Sequence, residues 1–425
     1  MKNRLTTKTK IDETWMIVAL CFLMVCVGLG FCSSSKSIYI SAVTEALGIS
    51  RGAFSVSDSI RYISTAVINL FFGSLIAKFG PKKLICAGLL CLILCMSLYS
   101  VAQNVALFYV GSVFLGLGLS WTTTTMVGYV VRRWCKNNVG TVMGAILASN
   151  GIGAAVATQV LSPIIYQEGN PFGFRQAYRL IVILLAVVLV LVLVFFRNEP
   201  KQQNTRTAVP KKRRGRSWRG LEWKDTVRRP YFYGTLVCVF LAGFVLMGIS
   251  GSAAPLMKDV GLDTAYVATV LSVHAVFLSC FKFLAGWSYD RFGLRVTVSV
   301  CAVAGAAVTV LLSLVSASET GKMLAMGYGL LYAVALPLET VMLPIFAGDL
   351  FGDQSSDMAL GMIVSVNTIG YAVGGPVFNL CYDLTGSYNL VLYVGGALML
   401  CVFVGMQFVV SAANKEHKKA ETAAE

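Results

Sequence analysis

The sequence predicts an all-α membrane protein of twelve transmembrane helices in two related six-helix bundles, and three observations carry this. Of its 425 residues 56% are hydrophobic and only 13% charged, far from the composition of a soluble protein. Apolar runs of about 20 residues, enough to cross roughly 30 Å of hydrocarbon as helix, recur twelve times. The punctuation of the first six runs returns in the second six, as expected of an internal repeat.

In chain order the spans are read as 15 to 42, 54 to 77, 84 to 102, 105 to 130, 139 to 165 and 177 to 196, then 233 to 256, 265 to 289, 296 to 316, 322 to 346, 358 to 381 and 388 to 412. Each run is continuously apolar rather than alternating, which selects helices over a barrel. The first is too long, and too poorly followed by a cleavage site, to be a removable signal. The domain reading is therefore a cytoplasmic N-terminus at 1–14, bundles at 15–196 and 233–412, a basic linker at 197–232 and a C-terminal tail at 413–425.

Charge placement sets the topology. The net charge is +15, and 27 of the 35 Lys and Arg fall in segments on the side of the N-terminus. By the positive-inside rule both termini are cytoplasmic in a plasma (inner) membrane, and the positive charge reports topology rather than nucleic-acid binding. The linker carries PKKRRGRSWRG and reads as a solvated connection, with anionic lipid as the alternative partner. The twelve cysteines lie almost all inside spans and read as reduced, buried side chains. Cys91 and Cys95 share a helix face without a histidine or acid nearby, so neither metal nor cofactor is expected.

Two repeated segments relate the halves. Gly144-AILASN-Gly151-IG in span five matches Gly361-MIVSVN-Thr368-IG in span eleven, making Asn150 and Asn367 equivalent. GSLIAKFGPKK from Gly73 matches GWSYDRFGLR from Gly286, so the second loop holds Gly286, Asp290, Arg291 and Arg295 where the first has Ala77 in place of the acid.

Ionisable residues inside spans cost on the order of 2.5 to 3.5 kcal/mol each at a helix centre and mark functional positions. The candidates are Lys36, Asp58, Arg61, His274, Lys282 and Glu339. Lys282 lies one turn before Gly286 and is expected to face a cavity, as is Lys36 after the polar Cys32-Ser33-Ser34-Ser35. Asp58, Arg61, Thr65 and Asn69 form a stripe at helical spacing. An internal Asp58–Arg61 pair is its structural reading, and an outer gate the alternative. His274 reads as a hydrogen-bonded helix residue. Glu339, between Pro337 and Pro344, is the proton-coupling candidate.

The loop Gly286-WSY-Asp290-Arg291-F-Gly293-L-Arg295 resembles the G-x-x-x-D-R-x-G-R-[RK] signature of the major facilitator superfamily. The resemblance implies two six-helix halves around a midplane site and a cytoplasmic gate at Asp290. Four segments narrow it to the monocarboxylate transporter and oxalate/formate antiporter branch. They are Gly30-FCSSS-Lys36-S-Ile38, Lys282-FLAG-W, Phe172-Gly173-Phe174-Arg175, and Gly374-Gly375-Pro376 followed by Tyr382-DLTGSY. The sequence departs from that branch at Lys282, where its members carry arginine, at Leu278 in place of an aspartate, and at Asn367 where the oxalate antiporter has a lysine.

The expected function is therefore secondary transport of a small organic anion, with a monocarboxylate favoured, coupled to protons or to a counter-anion, in a protein acting as a monomer. An oxalate/formate-type dicarboxylate antiporter, or an exporter of another amphipathic solute, is the alternative, and a transporter-like sensor is a further one. Lys282 and Lys36 would bind the anion, with Asn150, Asn367, Tyr371 and the Thr122–Thr125 run shaping the pocket. A membrane enzyme is disfavoured: the chain shows no paired catalytic acids and no nucleophile beside a histidine, and its histidines are His274 and His417 alone.

Overall fold

The computed structural model describes residues 2–49, 51–135, 138–167, 170–197 and 220–422, and every regular element among them is helical. The linker motif from Pro210 to Arg219 lies outside the described residues. Eleven helices are long and apolar enough to cross a membrane, and a twelfth span is completed by one bent pair. The chain divides into two compact units, Met1–Ser217 and Trp218–Glu425.

The first unit contains α1 (Lys2–Val25), α2 (Ile40–Leu47), α3 (Arg51–Leu70), α4 (Phe72–Phe79), α5 (Pro81–Ser100), α6 (Val105–Thr122), α7 (Thr124–Trp134), α8 (Val139–Ile165) and α9 (Gly173–Phe195). Its helix α5 packs on both α6 and α9, α3 lies on α6, and α8 lies on the first span. The second contains α10 (Trp223–Val227), α11 (Pro230–Asp259), α12 (Thr264–Phe292), α13 (Leu294–Ser313), α14 (Glu319–Ala335), α15 (Pro337–Thr340), α16 (Met342–Thr385) and α17 (Asn389–Thr422). There α11 packs on α16 and α17, α13 on α14 and α17, and α12 on α14.

Outward faces are as apolar as inward ones. In α9, Leu185, Val188 and Val192 are buried while Ile183, Val187, Val190 and Val194 are exposed, the pattern of a helix in lipid. Lipid gives little hydrophobic drive for helices to associate, so close backbone approach has to hold them. A Cβ on Gly30 would stand 2.6 Å from the Gly153 backbone, and one on Gly370 2.5 Å from the Phe240 carbonyl oxygen. These contacts fasten span one to span five, and span eleven to span seven.

Several spans are less regular than the sequence suggests. Span one is interrupted after α1 by a π-helical turn, Cys26–Phe31, then a 3₁₀ segment, Ser34–Tyr39. Gly28 and Gly30 weaken the helix there, and the Ser35 hydroxyl bonds back to the Phe31 carbonyl at 2.6 Å. The predicted straight span at 54 to 77 is instead α3 and α4 meeting at 61° around Phe71, next to Gly73-Ser74, a pair that often marks kinks. The span at 105 to 130 breaks at Thr123, where the Thr122 and Thr123 hydroxyls bond to carbonyls four residues back.

The predicted loop between spans ten and eleven is also corrected. Helix runs on either side of Gly352, whose φ of 73° turns the chain in a single residue. The end of the predicted linker is ordered: Gly220 meets the Phe351–Gly352 backbone, and Thr226 in α10 bonds to Ser355 at 3.0 Å. Helix α17 continues past the predicted end at 412 to Thr422.

Candidate functional site

Each unit carries one cluster of intramembrane charge. In the C-terminal unit it centres on Lys282, in the middle of α12. Its side chain is 5% exposed, and no hydrogen bond or ion pair reaches it from any described residue. A buried cation without a counter-ion is costly, and an anionic ligand would relieve the cost. Two turns away His274 is held in place: its Nδ1 lies 2.9 Å from the Gly329 carbonyl oxygen and its ring stacks on Tyr332 at 4.9 Å.

Glu339 sits in α15, the single turn that Pro337 begins, and is 3% exposed. Its carboxyl is hydrogen-bonded to the Tyr371 hydroxyl in α16, while Oε1 has no partner. It makes no ion pair with Lys282. Asn367, one turn before Tyr371, turns to α11, where its Nδ2 donates to the Val239 carbonyl at 3.1 Å. Gly243 makes room for this, since a Cβ there would stand 2.8 Å from Asn367 Nδ2. The two repeat asparagines thus differ in surroundings, for Asn150 in α8 accepts a bond from the Ser34 hydroxyl at 2.8 Å.

In the N-terminal unit the 3₁₀ segment carries Lys36 against α3. Its Nζ lies 2.9 Å from Asp58 Oδ2, donates to the Ser57 hydroxyl at 2.6 Å, and sits 4.5 Å from the centre of the Phe54 ring. Arg61 Nε is 3.7 Å from the other oxygen of Asp58. The sequence pairs Asp58 with Arg61 by spacing along one helix; the structure gives its closer contact to Lys36. The unwound turn that makes this possible was signalled only by Gly28, Gly30 and the serine run.

Of the residues read as a gate, Gly286, Asp290 and Arg291 fall at the end of α12 and Arg295 at the start of α13. Gly286 is buried, Asp290 half-buried, and Arg291 and Arg295 exposed. Arg295 Nε donates to Gln407 in α17 at 2.6 Å, and Tyr289 donates to Asp349 at 2.7 Å. The two repeat loops share one backbone device: Gly80 and Gly293 hold φ of 77° and 86° at the start of the following helix. If Asp290 serves the conformational cycle, Asp290→Asn should slow uptake about tenfold while substrate affinity stays within about twofold, and equal loss of both would exclude that role.

This is the architecture of a polytopic membrane transporter, and comparison with known proteins agrees. The Major Facilitator Superfamily family model matches residues 18–347 and 235–425. The chain belongs to the Major Facilitator Superfamily. The sialic acid transporter NanX of Escherichia coli (strain K12) is 22% identical, over 86% of this chain and 88% of that protein. Monocarboxylate transporter 13 of Rattus norvegicus is 25% identical over 77% and 73%, and the oxalate:formate antiporter of Oxalobacter formigenes 20% over 68% and 66%. Among solved structures, the transporter FucP in the outward conformation superposes with a TM-score of 0.70 at 16% identity, covering 93% of this chain and 99% of that one.

Proposed function

We propose that the protein is a secondary transporter of small carboxylates, monocarboxylates above all, working by alternating access in the plasma membrane with both termini in the cytoplasm. The observation that carries this is Lys282, a buried cation that no acid among the described residues neutralises. One such charge balances one carboxylate without leaving a second to be desolvated. The names of three relatives, a sialic acid, a monocarboxylate and an oxalate:formate transporter, all denote carboxylate substrates. Glu339, bonded to Tyr371, is the carboxyl that would carry a coupled proton, and counter-anion exchange is the other coupling open to it.

A panel of labelled monocarboxylates, oxalate and uncharged sugars offered to proteoliposomes tests the reading. Monocarboxylates should enter at least about tenfold faster than the uncharged solutes. Uptake of sugars with no carboxylate flux would overturn it, and faster flux of dianions would remove the preference for one charge.

A further inference from the structure

The cluster in the N-terminal unit holds two cations and one acid, hence one net positive charge, and its members are unequally placed. The Asp58 side chain is 39% exposed, against 17% for Lys36 and 13% for Arg61. The acid is the most exposed of the three. Lys36 is bound on three sides, by Asp58, Ser57 and the Phe54 ring. Arg61 is engaged differently: its contact with Asp58 is 3.7 Å, beyond hydrogen-bond distance, and its guanidinium lies against Tyr62, 4.1 Å from the ring centre, with a side-chain hydrogen bond to that residue. A guanidinium has five donors in a planar fork suited to a carboxylate, and most of those of Arg61 are not taken up by Asp58.

The scaffold behind Arg61 is fixed. Gly116 of α6 brings the two helices together so closely that a Cβ there would stand 2.6 Å from the Arg61 carbonyl oxygen, and Thr65, one turn on, donates to the Gly116 carbonyl at 3.2 Å. Phe54 packs on Phe108 of the same helix, ring centres 5.1 Å apart. Arg61 thus sits on a helix fixed against α6, and Asp58, on the same helix, is the most exposed of the three charged side chains.

We propose that Lys36 and Arg61 form a carboxylate subsite of the N-terminal unit, and that Asp58 is its resident ligand, which an incoming carboxylate displaces. Asp58 is then a built-in competitor that lowers affinity, and Arg61 is a binding residue. This rests on the carboxylate reading above, and its test is made independent of Lys282. A purely structural triad makes the opposite forecast for Asp58, because removing the acid would leave two like charges unpaired and weaken the unit.

The test is saturation of purified full-length protein with sodium formate, the smallest carboxylate, read as the rise in thermal midpoint against sodium chloride at equal ionic strength. Wild type should respond saturably. Asp58→Asn should tighten formate at least about tenfold, Arg61→Gln should weaken it by a similar factor, and Arg61→Lys should fall between. Repeating the series in a Lys282→Gln background removes any response owed to the C-terminal unit. A sign contrast that persists there sustains the subsite whatever becomes of Lys282. Weakening by both variants, or no saturable formate response in wild type and Asp58→Asn, overturns it.

Discussion

Lys282→Gln is expected to abolish carboxylate uptake in protein that still inserts normally, while Lys282→Arg retains part of it. The charge-assisted bonds that a carboxylate makes with an ammonium are worth about 1.5 to 3 kcal/mol, or about 10 to 150-fold in affinity. The effect should sit at the upper end, because nothing else among the described residues neutralises Lys282 and its side chain is almost wholly buried. Glutamine keeps a donor and much of the length but not the charge. Arginine restores the charge in a planar, bulkier form, so partial rescue separates a need for charge from a need for shape. The readout is initial uptake of the best monocarboxylate in proteoliposomes. Intact uptake in Lys282→Gln would remove this residue from the binding site.

The second large effect is expected at Glu339. Its carboxyl is buried, has one bond to Tyr371 and leaves Oε1 without a partner. If this group carries the coupling proton, Glu339→Gln should abolish concentrative uptake driven by a pH gradient and flatten the pH profile of flux. A gradient of one pH unit holds about 1.4 kcal/mol, enough for about tenfold accumulation by one-to-one symport. That accumulation ratio should fall to unity, while exchange of labelled for unlabelled substrate at equal pH continues. Tyr371→Phe removes the hydroxyl that orients the carboxyl and should shift the pH profile without erasing it. Unchanged accumulation in Glu339→Gln would exclude Glu339 from coupling and turn attention to counter-anion exchange.

How far the sequence reaches differs between fold and site. Span number, span type and the relation of the halves could be read from it because they rest on composition and periodicity, which survive any detail of packing. The matched loops at Gly73 and Gly286 fold alike, each with a glycine of positive φ before the next helix. Irregularities were harder to foresee. The bend at Phe71 and the single-residue turn at Gly352 depend on how a few backbone groups are satisfied, and hydropathy averages over such residues.

The sequence by itself determined that this is a twelve-span chain with few intramembrane charges, and it named Lys36, Lys282 and Glu339 among them. The cost of placing a charge in lipid makes each of them conspicuous wherever it falls. Only the tertiary structure decided which charges are neutralised. Lys36 finds Asp58 because the first span unwinds between Cys26 and Tyr39 and sets its side chain against α3. Lys282 makes no ion pair with any described residue, Glu339 included, although Oε1 of that acid has no hydrogen-bond partner. Asn367, equivalent to Asn150 by repeat, donates instead to Val239, because Gly243 lets α11 approach. Pairing depends on distances between side chains far apart in the chain, and linear spacing fixes those only within a single helix.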